Sequence, residues 1–224
     1  MEYQDIINTI ALTLGVAWAS GINLYAAILV LGVLGNTGNM NLPPDLQILA
    51  DPLVITAAGF MYFVEFFADK IPGVDTGWDA IHTFIRIPAG ALLAAGAVGD
   101  INPVMQLSAA ILGGGLAAGT HATKAGTRIL INTSPEPFTN WAASLAEDVA
   151  VVAGLWTAVH YPIALILFMI VFIALMILLL PKLWRGIKRV FRKISQFFGG
   201  RKDDPPPNVP ASPSPESRAP ETRP

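Results

Sequence analysis

The sequence predicts an all-α fold, a polytopic membrane helical bundle, and three observations support this class. Hydrophobic residues make up 53% of the 224 residues and charged residues only 13%, whereas soluble domains carry about a quarter charged residues. Several apolar stretches reach the ~20 residues that a helix needs to cross a hydrocarbon core. Lys and Arg are concentrated in residues 182–202. The chain has no cysteine, which excludes disulfides, thiolate nucleophiles and zinc–sulfur sites.

Turn-forming residues divide the apolar sequence into six stretches. These are residues 6–34, 46–68, 75–98, 104–131, 138–159 and 163–180. The first is interrupted by Ser, Gly and Asn at 20–23, and the fourth contains three consecutive glycines at 113–115. The pattern therefore predicts about six transmembrane helices. In the alternative, 75–98 is a re-entrant loop and five helices span the membrane.

The distribution of Lys and Arg predicts the orientation of the bundle, because cytoplasmic loops carry an excess of these residues. With six spans and a cytoplasmic N-terminus, the outer loops are 35–45, 99–103 and 160–162, and none contains Lys or Arg. We therefore expect both the N-terminus and the C-terminus in the cytoplasm. The first residues have no basic segment before the apolar stretch, so no removable signal peptide is expected.

The residues after the last apolar stretch form two further segments. In 181–198, apolar residues recur at helical spacing and Lys or Arg occupy the other positions. This pattern predicts a basic amphipathic helix that lies on anionic lipid headgroups, or alternatively a cytoplasmic extension of the sixth helix. Residues 199–224 are rich in Pro, Ser and charged residues, and are predicted to be disordered. The transmembrane domain accordingly covers residues 1–180.

Two local similarities suggest an internal repeat. WASGINLYAA at 18–27 compares with LAAGTHATKA at 116–125, and LADPLVITAA at 49–58 compares with LAEDVAVVAG at 145–154. If the similarity is real, 6–98 and 104–180 are repeats of three spans. An odd number of spans gives the repeats opposite orientations, as in many secondary transporters. The alternative is chance similarity among the small residues that membrane helices commonly contain.

Polar and charged residues recur inside the predicted spans, where a charge at a helix centre costs roughly 2.5–3.5 kcal/mol. In the third and fourth spans they follow spacings of three and four, so each set forms one stripe along its helix. The candidate pathway or binding residues are Asn23, Glu65, Asp69, Asp75, Asp79, His82, Arg86, His121, Lys124, Arg128, Glu147 and Asp148.

The depths of these residues in six straight spans predict ion pairs between helices. The predicted pairs are Arg86 with Glu147 or Asp148, and Lys124 or Arg128 with Glu65, Asp69 or Asp79. Such pairs either fix the helix register or line a polar pathway in which His82 and His121 titrate near neutrality. Asn23 either caps a kink or exposes backbone groups that bind an ion.

Enzymatic signatures are weak, so no catalytic residues, metal or cofactor are predicted. The spacing of Asp75, Asp79 and His82 would suit a metal, but the adjacent Arg86 makes ion pairing the simpler interpretation. The glycines at 113–115 indicate close helix packing rather than a phosphate-binding loop, because no Lys followed by Ser or Thr comes after them.

Four runs resemble a known family: SGINLY at 20–25, EFFADKIPGVD at 65–75, WDAIHT at 78–83 and IRIPAGA at 85–91. Over roughly residues 11–159 the chain resembles a bacterial membrane-protein family catalogued as domain of unknown function 4126. The resemblance implies a protein of the bacterial inner membrane. It brings no activity, substrate or catalytic residue.

These observations lead to a functional hypothesis, a transporter or channel for an ion or small polar solute. It depends on the interrupted first and fourth spans, the repeat and the buried charges. The alternative is a non-transporting scaffold or lipid-interacting protein whose charges are structural, and an intramembrane enzyme comes third. The expected partners are the bilayer, anionic headgroups at the basic helix and an unidentified ion or solute. Nucleic acid is not expected, and a homo-oligomer is compatible with this hypothesis.

Overall fold

The computed structural model describes residues 2–71, 73–99, 102–133 and 137–198. These residues are almost entirely helical and contain no strand, which confirms the all-α class. The elements are α1 (Tyr3–Ile22), α2 (Leu24–Asn36), a 3-10 helix (Pro44–Ala50), α3 (Pro52–Ala68), α4 (Val74–Val98), α5 (Pro103–Ile131), α6 (Pro137–His160) and α7 (Pro162–Phe198). The predicted disordered tail, 199–224, lies outside the described residues.

The first apolar stretch is a helical hairpin rather than one interrupted span. Asn23 separates α1 from α2 in an extended conformation, with φ −146° and ψ 100°. Its side-chain oxygen accepts a hydrogen bond from the backbone N–H of Ala26 at 2.9 Å, as an N-cap does. After this break α2 returns towards the end of the bundle where α1 begins, because Asn8 and Asn39 line the same cavity. The hairpin therefore adds no net crossing.

The number of spans also differs from the prediction of six. Within the described residues, four segments are long and apolar enough to cross a membrane: Tyr3–Ile22, Val74–Val98, Phe138–His160 and Pro162–Arg189. The 3-10 helix and α3 form a fifth if they count as one span bent by 69°. α4 is one continuous helix of 25 residues and not a re-entrant loop. These apolar helices indicate a multi-pass membrane protein.

The start of α1 and the part of α7 around Leu183 lie at opposite ends of the bundle. A Cβ on Gly15 would lie 3.2 Å from Ala158 and 3.1 Å from Leu165, where α6 ends and α7 begins. A Cβ on Gly126, near the end of α5, would lie 2.6 Å from Leu183. The start of α1 is therefore at one end of the bundle, and residues around 183 are at the other. The prediction that both termini lie on the same side is not confirmed.

Small residues bring α1, α4 and α5 into close contact. A Cβ on Gly113 of α5 would overlap the Cβ of Ala94 on α4. A Cβ on Gly90 would lie 2.5 Å from the Cβ of Ala117. Small residues are what close approach of membrane helices requires, so the predicted packing role is confirmed at Gly113. Gly115 faces no atom within 4 Å.

The predicted inverted repeat is not confirmed. The first half of the chain is divided at Asn23 and again around the 3-10 helix, whereas α5, α6 and α7 are continuous. His121, the sequence counterpart of Asn23, lies inside the unbroken 29-residue α5, so the fourth stretch is not interrupted. The basic segment 181–198 is helical, and it continues α7 through Pro181 without a break.

Candidate functional site

The polar residues of α4 form one buried stripe. Asp75, Asp79, His82 and Arg86 are all buried, and Arg86 has 0% exposed surface. Their spacing of three and four residues places them on one face of the helix, as the sequence predicts. That face turns towards α1, α3 and α5 and away from the apolar exterior.

Arg86 joins three helices. Its Nη1 donates to Asp79 Oδ1 at 3.0 Å and to His121 Nδ1 at 3.0 Å. Its Nη2 forms an ion pair with Glu65 of α3, and both side chains have no exposed surface. The guanidinium is therefore neutralised by two carboxylates, one on its own helix and one on α3.

Lys124 of α5 lies among several carboxylates at the same depth. Its Nζ is 2.9 Å from Asp69 Oδ2, 3.4 Å from Glu65 Oε1 and 3.7 Å from Asp79 Oδ1. These partners confirm the predicted pairing of Lys124. Nζ also donates to the backbone carbonyl of Ile22 at 3.1 Å, which is free because α1 ends there.

Arg128, one turn further along α5, pairs with α6. Its Nη2 and Nε lie 2.7 Å and 3.2 Å from the two carboxylate oxygens of Glu147, a bidentate geometry of the strong kind. Nη1 donates to the backbone carbonyls of Asp69 and Asn140 at 3.0 Å and 3.1 Å. The prediction that Arg86 pairs with Glu147 or Asp148 of α6 is wrong, because the ion pair with Glu147 is formed by Arg128.

The contacts of His121 assign its protonation state. A guanidinium can only donate hydrogen bonds, so Nδ1 of His121 must accept the bond from Arg86. The proton therefore sits on Nε2, which lies 3.1 Å from the carbonyl oxygen of Asp79 and 2.8 Å from the Thr83 hydroxyl. His121 is neutral in this arrangement, because a second ring proton would face the guanidinium.

His82 links a backbone carbonyl to a phenol. Its Nδ1 donates to the carbonyl of Trp78 at 2.9 Å, and its Nε2 is hydrogen-bonded to the hydroxyl of Tyr25 at 3.1 Å, a group that can donate or accept. Tyr25 was not among the candidate residues, although it belongs to the run at 20–25 and follows the helix break by two residues. Because α2 starts in a new direction at the break, the ring of Tyr25 points towards α4, where it packs edge-to-face against His82.

Asp75 is held by amides instead of cations. Both of its oxygens accept from Asn132 Nδ2, at 2.9 Å and 3.0 Å. The backbone N–H of Gly73 donates to it at 2.8 Å, and Asn140 Nδ2 lies 3.4 Å away. The two asparagines were not predicted, because an amide in a loop or at a helix start carries no sequence signal of its own.

Asp148 has a different environment from its neighbour Glu147. Its Oδ1 accepts from Asn23 Nδ2 at 3.1 Å, while Oδ2 is buried and makes no hydrogen bond to the described residues. Lys70 donates instead to Oγ of Ser144, which lies one turn before Asp148 on α6, at 3.3 Å. Burial lowers the pKa of the Lys70 ammonium below its usual value, and the carboxylates of Asp148 and Asp69 act in the opposite direction.

Carboxyl groups outnumber cationic side chains in and beside the network. In the ion-paired network, the cations Arg86, Lys124 and Arg128 are shared among the carboxylates of Glu65, Asp69, Asp79 and Glu147. Asp75 and Asp148 lie outside these pairs, and the remaining nearby cation is Lys70. Six carboxyl groups thus face four cationic side chains. An uncompensated carboxylate is costly in a low-dielectric interior, so the surplus of acids favours protonation of a carboxyl group or binding of a cation.

Two clefts approach this network from the sides of the bundle. The first, about 300 Å³, is lined by residues of α1, α5, α6 and α7 and reaches Lys124 and Glu147. The Glu147 side chain is 20% exposed. The second, about 520 Å³, runs along α6 beside α3 and reaches Tyr62 and Asp148. Among the described residues, no group of three His, Asp or Glu side chains is arranged to hold a metal ion.

Comparison with known proteins identifies the family. Residues 10–182 match the family described as Domain of unknown function (DUF4126), and this match covers most of the chain. The chain belongs to this family. In this DUF4126 protein the matched region contains every residue of the buried network, from Glu65 to Asp148. No curated protein matches the chain, and no solved structure matches it.

Proposed function

We propose that this DUF4126 protein moves protons or another small cation across the membrane through its buried charged network. One observation carries the proposal: four carboxylates, three of them buried and the fourth, Glu147, partly exposed, share three buried cationic side chains. A purely structural network gains nothing from surplus acids, because each uncompensated carboxylate adds to the cost of burial. Intramembrane carboxyl groups of this kind are typical of proton relays and cation pathways.

Lys124 supplies a means of moving charge through the network. Its Nζ lies within 3.7 Å of carboxylate oxygens on Glu65, Asp69, Asp79 and Glu147. When a proton or cation neutralises one of these carboxylates, attraction to the remaining ones favours a shift of the ammonium towards them. The long, flexible side chain of lysine allows this movement. Glu147 is the member nearest to an open cleft, and it is the proposed point of entry from that side.

The proposal includes a revised orientation. The loops at the end where α1 begins, residues 36–51, 99–103 and 160–162, contain no Lys or Arg. Since cytoplasmic loops carry the excess of these residues, this end faces outwards and the basic part of α7 faces the cytoplasm. The N-terminal end of α1 then lies outside, because α1 and α2 form a hairpin. The membrane that the resemblance implies is the bacterial inner membrane.

Ion flux into liposomes tests this function. The full-length protein is reconstituted with a pH-sensitive dye in the lumen, and a potassium diffusion potential drives cations inwards. Wild-type vesicles should acidify faster than empty vesicles, or take up Na⁺ in the parallel assay with a sodium dye. Glu147→Gln should return the rate to that of empty vesicles, whereas the exposed Glu2→Gln should not. The proposal fails if wild-type vesicles pass none of these ions faster than empty ones.

A structural role is the second candidate, and the full hydrogen bonding of the Arg128 guanidinium favours it. Arg128 makes hydrogen bonds to Glu147, Asn140 and the backbone of Asp69, which leaves it little freedom to move. In that case the network holds the bundle together, and the basic end of α7 recruits anionic lipid or a partner.

A further inference from the structure

The cleft beside Asp148 is an open groove on the side of the bundle. It lies between α3 and α6, and α2 packs against both helices. Its volume of about 520 Å³ falls within the range of small-molecule sites. Its walls are mostly apolar, and Val149, Val152 and Trp156 form one exposed stripe on α6. The cleft therefore opens sideways, towards the hydrocarbon part of the bilayer.

Asp148 provides the polar end of this cleft. The residue is only 7% exposed. Among the described residues Oδ2 has no hydrogen-bond partner within 3.5 Å, and the Tyr62 hydroxyl interacts with this carboxylate only at longer range. Its other oxygen is occupied by Asn23. The nearest cation, Lys70, is engaged by Ser144 Oγ and the carbonyl of Phe66. A buried acceptor without a donor costs free energy, so the cleft is suited to a ligand that brings both a positive charge and an N–H group.

We infer that this cleft binds a hydrophobic ammonium, a primary or secondary amine with a single apolar chain that enters from the bilayer. The N–H⁺ group enters between the Tyr62 hydroxyl and Asp148 and donates to Oδ2, while the chain lies along Val149, Val152 and Trp156. The carboxylate repels anions, and one free carboxylate oxygen is too few for a metal ion. Binding requires no ion gradient and no movement of charge, so this inference goes beyond the proposed function.

Equilibrium binding of n-octylammonium to the full-length protein in nonionic detergent tests the inference. Radiolabelled octylammonium should bind saturably. Two competitors test the charge and the N–H group of the ligand separately. n-Octanol has the same chain without the charge, and octyltrimethylammonium has the charge without an N–H group. Both should compete at least about tenfold more weakly, since a charge-assisted hydrogen bond is lost in each case.

Two variants locate the site. Asp148→Asn should weaken binding roughly 10- to 100-fold, and it should still fold because its amide oxygen remains an acceptor for Asn23. Val152→Phe keeps the carboxylate but fills the exposed cleft, and it should also weaken binding. Asp5→Asn, which neutralises an exposed carboxylate on α1, is the matched control and should bind as the wild type does.

Three results would overturn the inference. They are unchanged affinity in Asp148→Asn, unchanged affinity in Val152→Phe, and equal competition by octanol. The last result would mean that the cleft is merely an apolar surface covered by lipid or detergent. If Asp148→Asn does not fold, Val152→Phe and the competitors still decide the question. Because the assay has no gradient, its failure leaves the flux result unaffected.

Discussion

Replacing Arg86 with glutamine removes the guanidinium that joins α3, α4 and α5. Arg86 and Glu65 have no exposed surface, and Asp79 is also buried. Breaking a buried pair by removing one partner typically costs about 3–5 kcal/mol, because the remaining charge is left uncompensated. Lys124 Nζ lies 3.4 Å from Glu65 and 3.7 Å from Asp79, so it compensates part of the loss. We therefore expect the low end of the range, about 3 kcal/mol.

Thermal unfolding of the purified protein in detergent measures this effect. For a chain of this length, about 3 kcal/mol corresponds to a decrease in Tm of roughly 6–12 °C. Adding Glu65→Gln to Arg86→Gln should recover much of the loss, because the uncompensated carboxylate is then removed. Arg189→Gln, an exposed position on α7, is the matched control and should change stability by no more than about 0.5 kcal/mol. An unchanged Tm in Arg86→Gln, or a further decrease in the double variant, would refute this reasoning.

Three further predictions concern helix packing and the hairpin. Gly113→Ala should destabilise the protein by about 1–3 kcal/mol because its Cβ overlaps a methyl carbon of α4, whereas Gly115→Ala should be neutral or slightly stabilising. Equal Tm values for the two would contradict the packing described. Asn23→Ala should cost about 1–2 kcal/mol through the lost cap of α2, with part regained in Asn23→Ser, and an unchanged Tm would show that the cap is unimportant. In this cysteine-free chain, cysteines placed at Asn8 and Asn39 should react with an impermeant maleimide from the same side. Labelling from opposite sides would contradict the hairpin.

Helical periodicity was enough to predict which side chains of α4 and α5 share a face. Spacings of three and four put Asp79 and Arg86, two turns apart, on one face of α4 and Lys124 beside Arg128 on one face of α5. The high cost of charge in lipid then requires both stripes to face inwards. For the same reason, the acids that pair with Lys124 were predicted correctly.

The partner of Arg86 was not predictable in this way. Six straight spans would place Arg86 at the same depth as the acids of α6. The first stretch folds back at Asn23, however, so the helices of the bundle have different neighbours. Whether an asparagine kinks a helix or caps a new one depends on tertiary packing, which the sequence pattern does not contain. Tyr25 was missed for the same reason, since its ring reaches His82 only because α2 starts a new direction at Asn23.

The most direct test of a charge-moving network is ion flux through a variant that folds without one ion pair. Arg86→Gln with Glu65→Gln removes a cation and an acid together, so it should be nearly as stable as the wild type. In liposomes matched for the amount of folded protein, we predict that this double variant passes cations no faster than empty vesicles, while Arg189→Gln retains the wild-type rate. Wild-type flux in the double variant would contradict the proposed function and leave the ion pairs with a structural role.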